Sequence, residues 1–585
     1  MSTKKTKKEF RESFDGFGGL DVSSPIGSGK LITFRNFKLL PDGSAIKRGG
    51  FRYICRFAAT IRGEKVYSDN GEEVILVAAG RSLFRVPVTS DEPVTSSYIF
   101  ESAVGSVKFF EYKSELYIIE GCTLYRYTGG CNLEKCIPYI PLYGYHWLNT
   151  GGTVNEPFNM LTPKIRIKYF INDTTVNSLN VGLKIKSIDA IYGNGAMVSP
   201  SAYKIDSTGQ KILFSEYYFN KYVTVYLTVD TEEYRDADFE SCDRNSVFDA
   251  FDDSRVFMYG GDDGSRVYCS KVIADEEVTD CELGYGAIVP LYFPKAEPVR
   301  FSGANSITDI KRLYDRVLVF SEYRTWVSSP LRTDEGRAMY GLMLDTATDT
   351  LGCPSCGAVT VIDGDNHVTL SHGGVYKWSI DNEFEEKMRH SLLSKSVNEL
   401  FDAEFVRNAL VCRNRGENEI WFANRASENG CVLVYNCGSG AWYMYDGINA
   451  DSLLEIGETV AFRLDGSYYI FDGEEGYDCF ESSERNIEAV VESAGFDFSC
   501  PYAKKHVDIG QVICELDGGE AVLELNDGDV LFSCVLDENG SSKIHGNVDF
   551  FNIRMRTSRT ERVSFKLTAA GKSRQRIYRV TFFAS

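Results

Sequence analysis

Cys353-Pro354-Ser355-Cys356 is a C-x-x-C, the spacing of a redox-active pair or of half a tetrahedral zinc site. No second C-x-x-C completes a set of four ligands. Cys431 and Cys437 fall on neighbouring expected strands, where packing accounts for them. The sixteen cysteines are therefore expected to be structural thiols. The six histidines, His146, His367, His372, His390, His506 and His545, are scattered. His367 and His372 flank one expected hairpin and read as turn residues, so no metal site and no cofactor are expected. The 83 Asp and Glu residues leave a paired-carboxylate site open by count alone, and most read as solvated loop side chains. No P-loop, no G-x-G-x-x-G after a strand and no Gly-X-Ser-X-Gly elbow occurs. The chain is expected not to be an enzyme.

The elements that would position any site are short strands. The stretch ALVCRNRGENEIWFANRASENGCVLVYNCGSGAWYMYDG, residues 409–447, reads as four strands at 409–412, 419–423, 431–435 and 441–445. Each is a run of apolar, aromatic or β-branched residues, and each break carries the Gly or Asn of a tight hairpin. Four hairpin-linked strands in about 40 residues match one propeller blade. Looser copies occupy 73–87, 107–129, 245–271, 307–329, 358–380 and 453–473. The expected fold is all-β: a β-propeller of about seven blades with an inserted β-domain and a C-terminal β-sandwich. The boundaries read as an N-terminal arm and extended segment at 1–60, first blades at 61–145, the insert at 146–235, remaining blades at 236–480 and the sandwich at 481–585. The segment 14–51 is expected to lie extended over a propeller face. Residues 384–401 are the best candidate for helix.

At 585 residues, two to four domains are expected. Tyr 34 and Phe 37 against Met 9 favour strands. A net charge of −20 argues against a general nucleic-acid binder, yet suits a surface past which DNA slides. MSTKKTKKEF has charge and no apolar stretch, so no signal peptide is expected, and no window is apolar enough for a membrane-spanning helix.

Several pieces resemble known families. Ser68-Asp69-Asn70-Gly71 is similar to the start of the sialidase turn repeat, with Asp and Gly one residue early and no closing Trp. Gly260-Gly261 followed by Tyr268 resembles a single kelch repeat. More of the chain, about residues 30–475, resembles the propeller-bearing tail and neck proteins of tailed bacteriophages, of the nozzle or tail-hub type. Asn36, Leu40-Pro41-Asp42-Gly43-Ser44 and Lys47-Arg48-Gly49-Gly50-Phe51 look like that family's opening, with Gly49 in place of a proline. Tyr259-Gly260-Gly261-Asp262-Asp263-Gly264-Ser265-Arg266-Val267-Tyr268 looks like its blade turn. Residues 307–326, Gly373-Gly374-Val375-Tyr376-Lys377-Trp378 and the 432–445 unit complete the likeness.

That resemblance implies a structural virion protein made in the bacterial cytoplasm. It would form a homo-oligomeric ring, hexameric by preference, around the DNA exit path. Its partners would be other tail, neck or portal-adaptor proteins and passing genomic DNA held without specificity, with no membrane insertion. The alternative is a glycan-binding or glycan-degrading propeller at a tail tip or cell surface. The residues singled out as structurally decisive are Lys47, Arg48, Gly260, Gly261, Arg266, Trp378, Trp421 and Trp442. Of Trp421 and Trp442, Trp442 is expected to face the core, with an exposed sugar-stacking ring as the rival reading.

Overall fold

The computed structural model describes residues 9–585 apart from 24–29, 89–92, 172–175, 219–220, 251–252, 274–277, 280–286, 296–297, 315, 333–337, 365, 382–386, 426–429, 472, 474–475 and 546. The chain divides into two compact units, one of residues 59–87 and 91–347, the other of residues 1–58, 88–90 and 348–585.

The fold is a β-propeller. Among the described residues six antiparallel sheets have four strands each, and a seventh set of four opens a nine-stranded sheet. Each set is one blade. The first unit holds the blades that begin with Ile61–Asp69, Val107–Tyr112, Arg244–Ala250 and Ile307–Leu313. The second holds those that begin with Val359–Asp363, Ala409–Asn414 and Ser452–Ile456. Within each unit the opening strands of neighbouring blades pack side by side. The blade strands are buried on both faces, as Glu419–Asn424 shows with five consecutive buried residues. A layer with sheets on either side of it needs apolar runs rather than alternation.

The first unit also carries the insert, a six-stranded sheet and a three-stranded sheet built from residues 142–229. Its core runs through Ile165, Ile167, Tyr169, Leu179, Val223, Val225 and Leu227. In the second unit two sheets make the C-terminal sandwich. One includes Val507–Glu515, Val548–Arg554 and Arg576–Ala584; the other continues the 409–445 blade through Leu31–Arg35 into Ala489–Ser493, Ser564–Ala570 and Glu520–Asp527.

Three expectations are corrected. The N-terminal segment is not laid across a propeller face, because its backbone finds hydrogen-bond partners in sheets. Phe10–Asp15 pairs with Arg576–Ala584, and Leu31–Arg35 joins the nine-stranded sheet. Phe51–Arg56, placed in the arm by sequence, is the outer strand of the last blade, paired with Ser467–Phe471. Phe51 packs edge-on against Phe462, Tyr469 and Phe471 there. The expected helix at 384–401 gives way to the strand Lys387–Leu392, which pairs with Gly374–Asp381 as a fourth blade strand, and to a single 3-10 turn at Asn398–Leu400. Residues 384–386 of that expectation lie outside the described residues.

Candidate functional site

In the second unit two hairpin tips meet. The strand Ala409–Asn414 turns through residues 415–418 into Glu419–Asn424, with Asn418 at φ 53, a conformation Asn tolerates better than most residues. The Gly416 amide donates to the Glu458 carbonyl on the next blade's tip at 2.8 Å. A Cβ on Gly416 would lie 2.7 Å from that oxygen, so the approach requires glycine. Beside the joined tips lies a cavity of about 530 Å³, lined among others by Lys38, Arg48, Asn414, Glu417, Glu419 and Trp421.

Its wall is aromatic. Trp421 meets Phe471 edge-on at 4.6 Å and Tyr445 at 5.5 Å between centroids. The Arg48 guanidinium lies 5.8 Å from the Tyr445 ring and 5.9 Å from the Phe471 ring, within cation–π range. Arg48 is itself fully engaged. It forms a fork to Asp478 at 2.9 and 3.0 Å and donates to Asn36 Oδ1, the Gly49 carbonyl and the Asp446 carbonyl. Asp478 also receives Arg485 at 2.7 Å.

Glu419 accepts from Trp421 Nε1 at 2.9 Å and from the Tyr443 hydroxyl. Burial pushes its carboxyl up to about 7, against the lowering effect of those two donors; Glu417 adds to the rise and Lys38 opposes it. Glu417 is ion-paired with Lys38 at 2.6 Å. Asn414 is 5% exposed, and its Oδ1 has no hydrogen-bond partner. A buried amide oxygen left unpaired costs about 1–3 kcal/mol, which a ligand hydroxyl would recover.

The structure brings Arg48 and Trp421 together in this cavity and disperses the other singled-out residues. Lys47 is fully buried; its amine donates to the Gly571 carbonyl at 2.5 Å, and burial lowers it to about 8. Trp442 is 1% exposed, its indole donating to the Leu393 carbonyl at 3.2 Å. Trp421 is equally buried, so the choice of one inward tryptophan dissolves. Trp378 is buried and bonds Thr369 Oγ1 at 2.8 Å. In the first unit, Gly260 has φ +77, and a Cβ on Gly261 would lie 2.5 Å from the Asp238 carbonyl. Arg266 bridges Asp263 at 2.9 Å and Asp238 at 3.6 Å, holding that turn. Cys353 is buried with its Sγ 3.1 Å from the Ser355 carbonyl. Among the described residues no three His, Cys, Asp or Glu gather as a metal site.

Sequence reasoning missed Asn414, Glu417, Glu419 and Lys38. Three of them stand around a Gly turn that is indistinguishable in sequence from any polar hairpin. A larger cavity of about 880 Å³ lies in the first unit, and the buried Arg62 and Glu120 on its lining pair with each other. Glu120 accepts from Arg62 at 2.9 Å and from the Glu101 and Ser102 amides, and burial pushes the Cys122 thiol up to about 12.

No family model and no curated protein matches the chain. Solved structures do. PorZ, a bacterial surface component of the type-IX secretion system of Porphyromonas gingivalis, matches at 12% identity and TM-score 0.30 over 76% of this chain and 43% of that one. The chain thus spans less than half of that structure's length. The WD40 domain of SCAP from fission yeast matches at 9% identity and TM-score 0.32 over 74% and 94%. A glycoside hydrolase family 43 arabinoxylan arabinofuranohydrolase from Bacillus subtilis matches at 10% identity and TM-score 0.21 over 58% and 78%. With a glycoside hydrolase among these structures the expectation that this chain is not an enzyme does not stand, and likenesses of this degree carry neither an activity nor a site residue across.

Proposed function

We propose that this chain is a glycan-recognising β-propeller protein and that a saccharide occupies the cavity of the second unit. The observation that carries the reading is the unpartnered Asn414 Oδ1, buried in a cavity walled by Trp421, Tyr445 and Phe471. Few placed polar groups on an apolar wall suit a ligand with apolar C–H faces and a hydroxyl rim. A turn of the Asn414 side chain lets its Oδ1 accept from a sugar hydroxyl, and the pyranose C–H face packs against the aromatic wall. Glu419, with its carboxyl near 7, holds a proton for part of the time at neutrality. A protonatable carboxyl beside a second one, Glu417, is the inventory that glycoside hydrolysis draws on.

Calorimetric titration of the full chain with a panel of α- and β-linked oligosaccharides, with reducing-end release assayed in parallel, tests this. Binding that weakens about tenfold in Asn414→Ala, one lost hydrogen bond to a buried acceptor, supports it. If sugar is released, Glu419→Gln abolishes release. No binding at millimolar saccharide, or binding indifferent to Asn414→Ala, overturns it.

A ring-forming phage virion subunit is the second reading, favoured by the net charge of −20, which suits a surface along which DNA slides. Negative-stain images of the purified chain decide it: closed rings support it, and single 65.6 kDa particles that do not assemble with neck or tail proteins oppose it.

A further inference from the structure

The inserted domain presents a second aromatic surface, at one end of a sheet face whose other end is closed over Arg166 and Tyr226. Leu142–Leu148, Lys164–Ile171 and Lys221–Val229 lie side by side, with Tyr145 opposite Lys168, Lys168 opposite Thr224 and Phe170 opposite Tyr222. Alternation sends Ile165, Ile167, Tyr169, Val223 and Val225 into the core. It turns Tyr145, Trp147, Lys168, Phe170, Tyr222 and Thr224 outward. Trp147 stacks on Phe170 at 4.4 Å and 17°, Tyr145 stacks on the same ring at 6.1 Å and 24°, and Tyr222 meets it edge-on at 5.2 Å. Trp147 nevertheless remains 62% exposed and Tyr222 67%.

We infer that this face is a saccharide-binding surface separate from the cavity, taking an extended β-1,4-linked pyranose chain across Trp147, Phe170 and Tyr222. Exposed aromatic clusters mark binding sites rather than idle surface. The outer indole face is already immobilised by the Phe170 stack, so binding a flat partner forfeits little side-chain entropy. The middle of the face is Lys168 and Thr224, whereas protein interfaces exclude lysine from their cores. Aromatic side chains cover about 150–250 Å² each, so two exposed rings and the edges of two more fall short of the roughly 800 Å² per partner of a stable protein interface. A pyranose chain has what the face complements: apolar C–H faces for the rings, and equatorial hydroxyls for Lys168, Thr224 and the tyrosine edges. Its repeat of about 5 Å is close to the ~4.8 Å between neighbouring strands, so a chain laid across them meets a side chain at each sugar.

The chain has five tryptophans, of which Trp326, Trp378, Trp421 and Trp442 are at most 5% exposed. Acrylamide quenching of tryptophan fluorescence in the full chain therefore reads Trp147. Cellohexaose, xylohexaose and mannohexaose are the probes. The expected result is that at least one, at millimolar concentration, lowers the quenching constant twofold or more. That protection falls at least tenfold in apparent affinity in Tyr222→Ala and is unchanged in Asn414→Ala. In the Asn414→Ala background, where the cavity contributes little, adding Trp147→Ala lowers calorimetric affinity by the same factor with the melting temperature unmoved. Absence of protection by all three hexasaccharides overturns the inference. So does protection that rises with protein concentration without sugar, which assigns the face to a second copy, and so does protection lost in Asn414→Ala but kept in Tyr222→Ala, which returns the binding to the cavity.

Discussion

Trp421 and Trp147 each sit on a β-strand against another aromatic ring, yet Trp421 is 1% exposed and Trp147 62%. Trp421 belongs to a blade strand with packed layers on both sides, and its segment is a continuous buried run. Trp147 belongs to a sheet with one free face, and its neighbour Lys164–Ile171 alternates in burial over its second half. The same residue type is thus wall in one region and platform in the other. What separates them is the number of layers stacked on the strand, which the local pattern partly reports. Around Trp421 the enclosed ring requires enclosed polar partners, so Arg48, Asp478 and Glu419 are buried with it. Around Trp147 the outward polar groups, Lys168 and Thr224, are only partly buried.

Breaking the enclosed cluster should therefore cost far more than breaking the open one. The largest effect is expected for Arg48→Ala, which strips Asp478, fully buried, of its bidentate partner. Loss of about 3–5 kcal/mol is expected, read as a lower urea midpoint for the transition of the second unit. Arg485 remains on Asp478, and a change under 1 kcal/mol would mean that it suffices alone. Trp442→Ala, which opens a cavity against Phe401 and Phe422, should cost about 3–5 kcal/mol and lower the melting temperature by several degrees.

A smaller and pH-dependent effect is expected at Glu419. Its folded carboxyl titrates near 7 against 4.5 for the free group, so the folded state binds the proton more tightly than the unfolded one. The stabilisation from that proton is complete below pH 4.5 and is lost as pH rises through 7. Between pH 6 and 8 the wild type should lose about 1 kcal/mol, and Glu419→Gln should flatten the profile. Denaturation curves across that window check it; an unchanged slope in the variant would show that Glu419 is not the group. The smallest effect sharpens the comparison from the other side. Trp147→Ala should change stability by no more than about 0.5 kcal/mol by the same denaturation, since its ring is mostly in water already. A cost near that of Trp442→Ala would mean that the open face is structural.

Much of the strand content was legible because hairpin chemistry is local. Residues 409–445 show their strands through apolar runs broken by Asn and Gly, and the structure places strands at Ala409–Asn414, Glu419–Asn424, Val432–Asn436 and Trp442–Tyr445. Lys387–Leu392 was not legible. KMRHSL carries too little β-branched or aromatic character to be read as a strand, and pairing with Gly374–Asp381 overrides its local preference. Phe51–Arg56 has strand character, but its partner Ser467–Phe471 lies more than four hundred residues on.

By itself the sequence determined the all-β class, the blade hairpins, the acidic charge and the pair of tryptophans in the 409–445 blade. These depend on side-chain type and on spacings of two to six residues, which act within one hairpin. Only the tertiary structure decided that Arg48 would close on Asp478, that Asn414 would be buried without a partner, and that Trp147 rather than Trp442 would face water. Those outcomes depend on which layer covers which face and on contacts between distant segments. Neither is encoded in any short stretch, because burial is a property of what packs on a residue and not of the residue alone.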